Sequence, residues 1–209
     1  MYENGLTNVR DKIYYRLVNT KISRILLDTC PSTELTELGV SKLYFIYLGE
    51  DSFGVKDLLI TNLISEAFNL SIEMLDSCAE KNTARLFPTI TEPVDKIIER
   101  MKELGHKEVE GIKLEIPFYL LTNRTREYGG SAIFDKAFLN GFGEALKQKQ
   151  LYILGISEHE SLIVLGDDMN DLDKLTKALH GIQMAMEDEK LTEKIIVYNV
   201  EARMYSVVS

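Results

Sequence analysis

Lys42-Leu43-Tyr44-Phe45-Ile46-Tyr47-Leu48 decides the fold. The run is β-branched and aromatic, too short for a typical helix, and closed by Gly49, which makes it a buried strand. Leu58-Leu59-Ile60 follows across a turn containing Asp51, Ser52 and Gly54, and antiparallel pairing of the two is the economical inference. On the N-terminal side, Thr7 is placed to cap a helix with Val9, Ile13 and Leu17 on one face. Thr20 is placed to cap a further turn or two carrying Ile22, Ile25 and Leu26, and Pro31 ends that region. On the C-terminal side, Leu63, Ile64, Ala67 and Phe68 have helical spacing, Ser71 opens a helix with Ile72, Leu75 and Ala79 inward, and Pro88 stops it. Val94, Ile97, Ile98, Met101 and Leu104, behind Pro93 in a first helical turn, form the clearest helix.

Farther on, Phe118-Tyr119-Leu120-Leu121 and Ser131-Ala132-Ile133-Phe134 flank a polar loop, 122–130. Asp135 caps a helix bearing Phe138, Phe142 and Leu146, which Gly141 and Gly143 weaken by about 1 kcal/mol each relative to alanine. Leu151 to Ile156 and Ser161 to Leu165 read as a hairpin turning at Ser157-Glu158-His159-Glu160. Leu172, Leu175, Leu179 and Ile182 mark a last helix, and Ile195 to Tyr198 with Met204 to Val208 a final pair of strands. A shift of about 74 positions lays Tyr44-Phe45-Ile46 on Phe118-Tyr119-Leu120 and Leu58-Leu59-Ile60 on Ala132-Ile133-Phe134. Two readings follow, a chance match of a common strand-turn-strand-helix unit or a pseudo-twofold of two such units. The chain as a whole, 1–209, reads as one α+β domain of antiparallel strand pairs with packed amphipathic helices, with a possible subdomain division at the polar stretch 105–111.

Composition narrows the function. Hydrophobic residues are 45% and charged residues 27% of the 209, the balance of an ordinary globular protein rather than a disordered one. Asp and Glu total 33 against 24 Lys and Arg, and the net charge of −9 repels phosphate backbones and anionic membranes, which argues against nonspecific nucleic-acid binding. Cys30 and Cys78 are isolated thiols, the first residues lack a basic stretch followed by an apolar run, and no window approaches the roughly 18–20 apolar residues that span a bilayer. The expected compartment is cytoplasmic, with no membrane association.

The chemical motifs are incomplete. Gly166-Asp167-Asp168-Met169-Asn170-Asp171 resembles the magnesium-holding signature of haloacid-dehalogenase-type phosphatases, yet no early strand carries the aspartyl nucleophile that such chemistry needs. It reads instead as an acidic turn in which Asp168 or Asp171 caps the following helix. His159 lies between Glu158 and Glu160, an arrangement suited to a general acid or base, although a solvated turn histidine is the simpler reading. Three histidines, His106, His159 and His180, do not assemble a zinc site, and with no Walker loop, GxGxxG or GxSxG the sequence implies no metal and no cofactor. Asn123, Arg124 and Arg126 form the one concentrated basic loop, suited to gripping an anion or a partner, and Asn82 with Arg85 is a second such candidate.

Tyr15-Arg16-Leu17-Val18-Asn19-Thr20, Asn82-Thr83-Ala84-Arg85-Leu86-Phe87-Pro88 and the segment from Leu151 to Glu160 resemble an uncharacterised family of gut Firmicutes known as a domain of unknown function. The resemblance adds weight to Asn82, Arg85, Ser157, His159 and Glu160 and transfers no activity. Two functions remain. The preferred one is a non-catalytic acidic binding or inhibitory protein, carried on a phage or mobile element, that blocks a basic nucleic-acid-binding partner in the manner of an anti-CRISPR protein. The alternative is a hydrolase or nuclease using His159, Glu160 and Ser157, with the Arg124 and Arg126 loop as an anion clamp.

Overall fold

The computed structural model of the chain describes residues 9–168, 171–185 and 190–208, which contain two antiparallel sheets. The first holds β1 (Ile13–Asn19), β2 (Ser32–Leu35), β3 (Val40–Asp51) and β4 (Gly54–Leu59). β3 is its spine. β1 lies along one edge, with Ile13 opposite Ile46 and Asn19 opposite Val40, while β2 and then β4 share the other edge. The strand read from 42–48 is therefore longer than its apolar run. It passes Gly49 through a bulge at Leu48 rather than ending there, because a glycine in the left-handed region lets the strand kink and continue.

The second sheet holds β5 (Thr89–Pro93), β6 (Tyr119–Asn123), β7 (Gln150–Gly155), β8 (Ser161–Leu165), β9 (Ile195–Asn199) and β10 (Met204–Val208), in the order β10-β9-β7-β8-β6-β5. The two sheets meet in one core. Ile13, Tyr15, Leu17, Tyr44 and Ile46 from the first pack with Leu121, Leu151, Ile153, Ile163 and Ile196 from the second, and with Leu75 and Ala79 of the helix Ile72–Leu86 and Leu139 of the helix Lys136–Ala145. The far face of the second sheet is covered by Leu175 and Leu179 of the helix Leu172–Ala185 and by Ile97 of the helix Val94–Glu103. The far face of the first carries Tyr14, Val18, Leu43 and Phe45 against Cys30 and Phe87.

That second layer explains the largest departure from the sequence reading. Residues 13–17 form a strand, not a helix, and Ile13 through Val18 are buried on both faces. Without a wet face there is no alternation, so Val9, Ile13 and Leu17 imitate helical spacing, and the aromatic and β-branched character of Ile13-Tyr14-Tyr15 is the signal that counts. Thr7 lies outside the described residues. Thr20 caps nothing; its hydroxyl meets that of Ser41 at 2.8 Å, and the helical turn Arg24–Leu27 starts after Ser23. β2 and β5 have no counterpart in the sequence reading.

Apart from residues 131–134, the remaining elements agree closely. Ser71 and Asp135 cap their helices through bonds from Met74 N and Phe138 N, and the segments around 157–160 and 200–203 turn their hairpins. In the acidic turn, Asp171 accepts from the backbone N–H groups of Asp173 and Lys174 at 3.0 and 3.2 Å, so it is the cap. The 74-residue similarity does not extend to structure. β6 matches β3, but 131–134 belong to the 3-10 helix Gly129–Phe134, which packs against β6 where a second strand was expected. The polar stretch 105–111 lies between β5 and β6, which pair directly.

Close approach accounts for that coil. A side chain at Gly129 would place Cβ 2.2 Å from Thr122 Oγ1 and 2.6 Å from the His159 carbonyl oxygen, and Gly130 N donates to the Glu158 carbonyl at 2.8 Å. Gly143 is likewise required, since its Cβ would fall 2.5 Å from Val200 Cγ2, whereas a Cβ on Gly141 meets nothing within 4 Å. Urea denaturation should therefore show Gly129→Ala destabilised by about 1–3 kcal/mol. Gly141→Ala should be stabilised by up to about 1 kcal/mol.

Candidate functional site

β1 directs Tyr14, Arg16 and Val18 to the face opposite the main core. Arg16 is only 8% exposed. A guanidinium buried without partners costs several kcal/mol, so its surroundings must compensate. Arg16 pairs with Asp57 of β4, and its Nε and Nη2 donate to the Tyr14 hydroxyl at 3.0 and 2.8 Å. The Tyr14 hydroxyl in turn donates to Asp57. Burial pushes the Tyr14 phenol up to about 12, against the opposing pull of Arg16, which keeps it a neutral donor at physiological pH. The guanidinium lies 4.1 Å from the Phe45 ring centroid and 3.3 Å from that of Tyr128, a cation held between two π faces.

Tyr128 arrives from the loop after β6 and so ties the second sheet to the first. The loop bends through two left-handed residues, Arg126 at φ 58° and Tyr128 at φ 54°. Neither is glycine, and such conformations persist only where neighbours hold them. Here Asn123 Nδ2 donates to the Glu127 carbonyl at 2.7 Å, Thr125 Oγ1 donates to Asn123 Oδ1 at 2.8 Å, and Tyr128 N donates to His159 Nδ1 at 3.1 Å. Glu127 then reaches the tip of the β3–β4 hairpin, where its carboxylate accepts from Val55 N at 3.0 Å and lies over Gly54.

Between that tip and the loop lies an open cleft of about 650 Å³, lined by Glu50, Asp51, Phe53, Arg85, Arg124 and Glu127 among others. Arg124 makes no side-chain bond among the described residues, and Phe53 is 94% exposed. Asp51 is held below the usual carboxylate range by hydrogen bonds from Lys56 and from Phe53 N, so the rim is charged at neutral pH.

The residues singled out in the sequence divide into three sets. Arg85 and Arg124, 39 positions apart, come together in the cleft. Arg126 turns away and bridges Glu92 at 3.3 Å. Asn123 and Asn82 are buried and structural: Asn82 Nδ2 donates to the Arg10 and Ile13 carbonyls at 2.8 and 2.9 Å, and Arg85 shares the task by donating to Asp11 O. Thr83 accepts from Tyr15 N at 3.2 Å, so the Asn-Thr-x-Arg segment covers the outer edge of β1.

Ser157, His159 and Glu160 also stay together, as a turn. Ser157 Oγ accepts from the backbone N–H groups of His159 and Glu160 at 3.1 and 3.2 Å, and Thr122 Oγ1 donates to the His159 carbonyl at 2.8 Å. The His159 ring faces Tyr128, 4.9 Å between centroids, and does not line the cleft. Among the described residues, no group of three or more His, Cys, Asp or Glu side chains is placed to hold a metal, and no helix is long and apolar enough to cross a membrane. Arg16, Asp57, Phe53, Glu127 and Tyr128 escaped the sequence reading. Only Arg16 left a trace, as a lone cation inside the apolar run 13–18.

An α+β chain with a charged cleft at the junction of its sheets is the class that these features define. Residues 3–200 match a family of unknown function, DUF5688, and the chain belongs to that family. No curated protein and no solved structure matches it.

Replacing Arg16 with Met strands Asp57 in a half-buried site, and chemical denaturation should show a loss of about 3–5 kcal/mol. Adding Asp57→Leu should restore most of it, since no charge is then left alone. A double variant no more stable than Arg16→Met would contradict the ion-pair account.

Proposed function

We propose that the chain is a non-catalytic acidic binding protein that docks on and inhibits a basic, nucleic-acid-binding protein. Phe53 is the observation that carries this reading. A phenyl ring 94% exposed at a hairpin tip is stabilised by nothing in its own fold, and aromatic residues beside arginines are the usual anchors of protein recognition. Around it the charges are arranged for a partner. The net charge of −9 steers a basic surface inward, Glu50 and Asp51 meet it at the tip, and Arg124 is left for an acidic group at its rim. A partner so covered loses access to its nucleic acid, as a CRISPR effector would beneath an anti-CRISPR protein. The Ser157 turn supports the same reading, because its hydroxyl is already engaged by two backbone donors that hold the turn in shape.

Capture from a native lysate, followed by mass spectrometry and reconstitution with the purified partner, tests the proposal. The wild-type chain should retain a basic nucleic-acid-binding protein, release it as salt is raised, and suppress its nucleic-acid binding. Phe53→Ser should weaken the reconstituted complex by at least about 30-fold, the effect of losing one anchor, while His159→Ala leaves it unchanged. A hydrolytic or nucleolytic activity that His159→Ala abolishes in a folded protein would overturn the proposal in favour of an enzyme.

A further inference from the structure

β10 (Met204–Val208) closes one end of the six-stranded sheet, and its outer edge is bare. It pairs with β9 on one side, and no other described residue bonds to its backbone. Such an edge presents a row of N–H and C=O groups to any second strand, and proteins ordinarily blunt it with charge, proline, brevity or a cover. The other edge strands show these devices. Asn82 and Thr83 cover β1, Glu127 accepts from Val55 N on β4, β2 is four residues long and carries Glu34, and β5 ends at Pro93 with Glu92 held by Arg100 and Arg126. Met204-Tyr205-Ser206-Val207-Val208 has no charge, proline or glycine, and Met204 is 65% exposed.

The charges beside the strand define what fits it. Lys136 stands at the Tyr205 end: its Nζ lies 5.4 Å from the Tyr205 ring centroid, and its carbonyl accepts at 3.4 Å from the hydroxyl of Tyr198, the β9 partner of Tyr205. The turn 36–38 stands at the other end, where the Leu38 carbonyl accepts from Thr192 Oγ1, just ahead of Ile195, the β9 partner of Val208. Glu37 of that turn lines, with Leu35, Phe134, Tyr205 and Val207, a groove of about 230 Å³ along the strand. Lys136 and Glu37 are exposed, and neither forms an ion pair among the described residues. An uncharged strand flanked by a cation at one end and an anion at the other is its own complement once reversed. A basic or an acidic peptide would satisfy one flank and oppose the other.

We propose that β10 pairs antiparallel with β10 of a second copy of this chain, joining the two six-stranded sheets across a twofold axis at Ser206. In that register Tyr205 of one copy lies opposite Val207 of the other on a shared face, and Lys136 of each copy faces Glu37 of the other. The bare backbone groups gain partners, and the two ion pairs offset part of the repulsion between chains of net charge −9. β10 shares no residue with the hairpin cleft, so the pairing stands or falls independently of the partner proposed above.

Sedimentation velocity of the full chain tests it. The wild-type chain should be dimeric at about 100 μM and dissociate on dilution, as suits a small interface. Ser206→Lys sets two ammonium groups opposite each other on the axis and should weaken the dimer by about fivefold or more. Because Ser206 is exposed, circular dichroism should show that variant folded. Lys136→Glu and Glu37→Lys should each weaken the dimer by about threefold or more. An equimolar mixture of those two variants should recover it, since each then meets its opposite charge in the other. A chain that stays monomeric at about 500 μM, a dimer indifferent to Ser206→Lys in a folded protein, or a mixture no tighter than either variant alone would overturn the proposal.

Discussion

Burying a guanidinium is unfavourable, and the chain accepts that cost at the point where its two sheets meet. Arg16 satisfies its charge with Asp57 from its own sheet, its donors with the Tyr14 hydroxyl, and its planar faces with Phe45 on one side and Tyr128 on the other. Only Tyr128 comes from the second sheet, and it reaches the stack through a left-handed backbone that Asn123, Thr125 and His159 hold in place. The stack therefore sets the loop 122–130 against the β3–β4 hairpin, and that apposition makes the cleft. If the stack were absent, Glu127 would have no fixed position over Gly54, and Arg124 none opposite Phe53.

The segments singled out by the resemblance to a family of unknown function are largely architectural. Asn82, Thr83 and Arg85 close the outer edge of β1, the strand that carries Arg16, and Asn19 at its end donates to the Lys190 and Leu191 carbonyls. Ser157 shapes the turn that presents His159 to Tyr128. Such residues act through the geometry that they impose on neighbours. Phe53 and Arg124, whose side chains make no bond among the described residues, are where recognition has freedom to be tuned.

Much of this architecture was legible in the sequence. Hairpins with clear turns and helices with a single wet face announced themselves, as did the caps at Ser71, Asp135 and Asp171. What stayed hidden has a common physical cause. β1 is sandwiched between two layers, so its periodicity is erased. β2 and β5 are short, half-buried edge segments with little apolar content to mark them. Residues 131–134 are as apolar as a strand, yet the approach of Gly129 to Thr122 and His159 leaves room only for a tight coil. The site was half legible for a related reason. Arg85 and Arg124 were visible in two separate candidate segments, one with Asn82 and the other with Asn123 and Arg126, but their meeting depends on Tyr128 and Arg16, a tertiary contact with no local signature.

Recognition through the hairpin tip is the claim on which the functional account rests, and hydrogen–deuterium exchange of the chain alone and in complex with its purified partner tests it most directly. The account predicts that binding slows exchange at 50–55 and 124–127 and leaves 157–160 as it was. Protection confined to 157–160, or a complex in which 50–55 exchanges as fast as in the free chain, would contradict it.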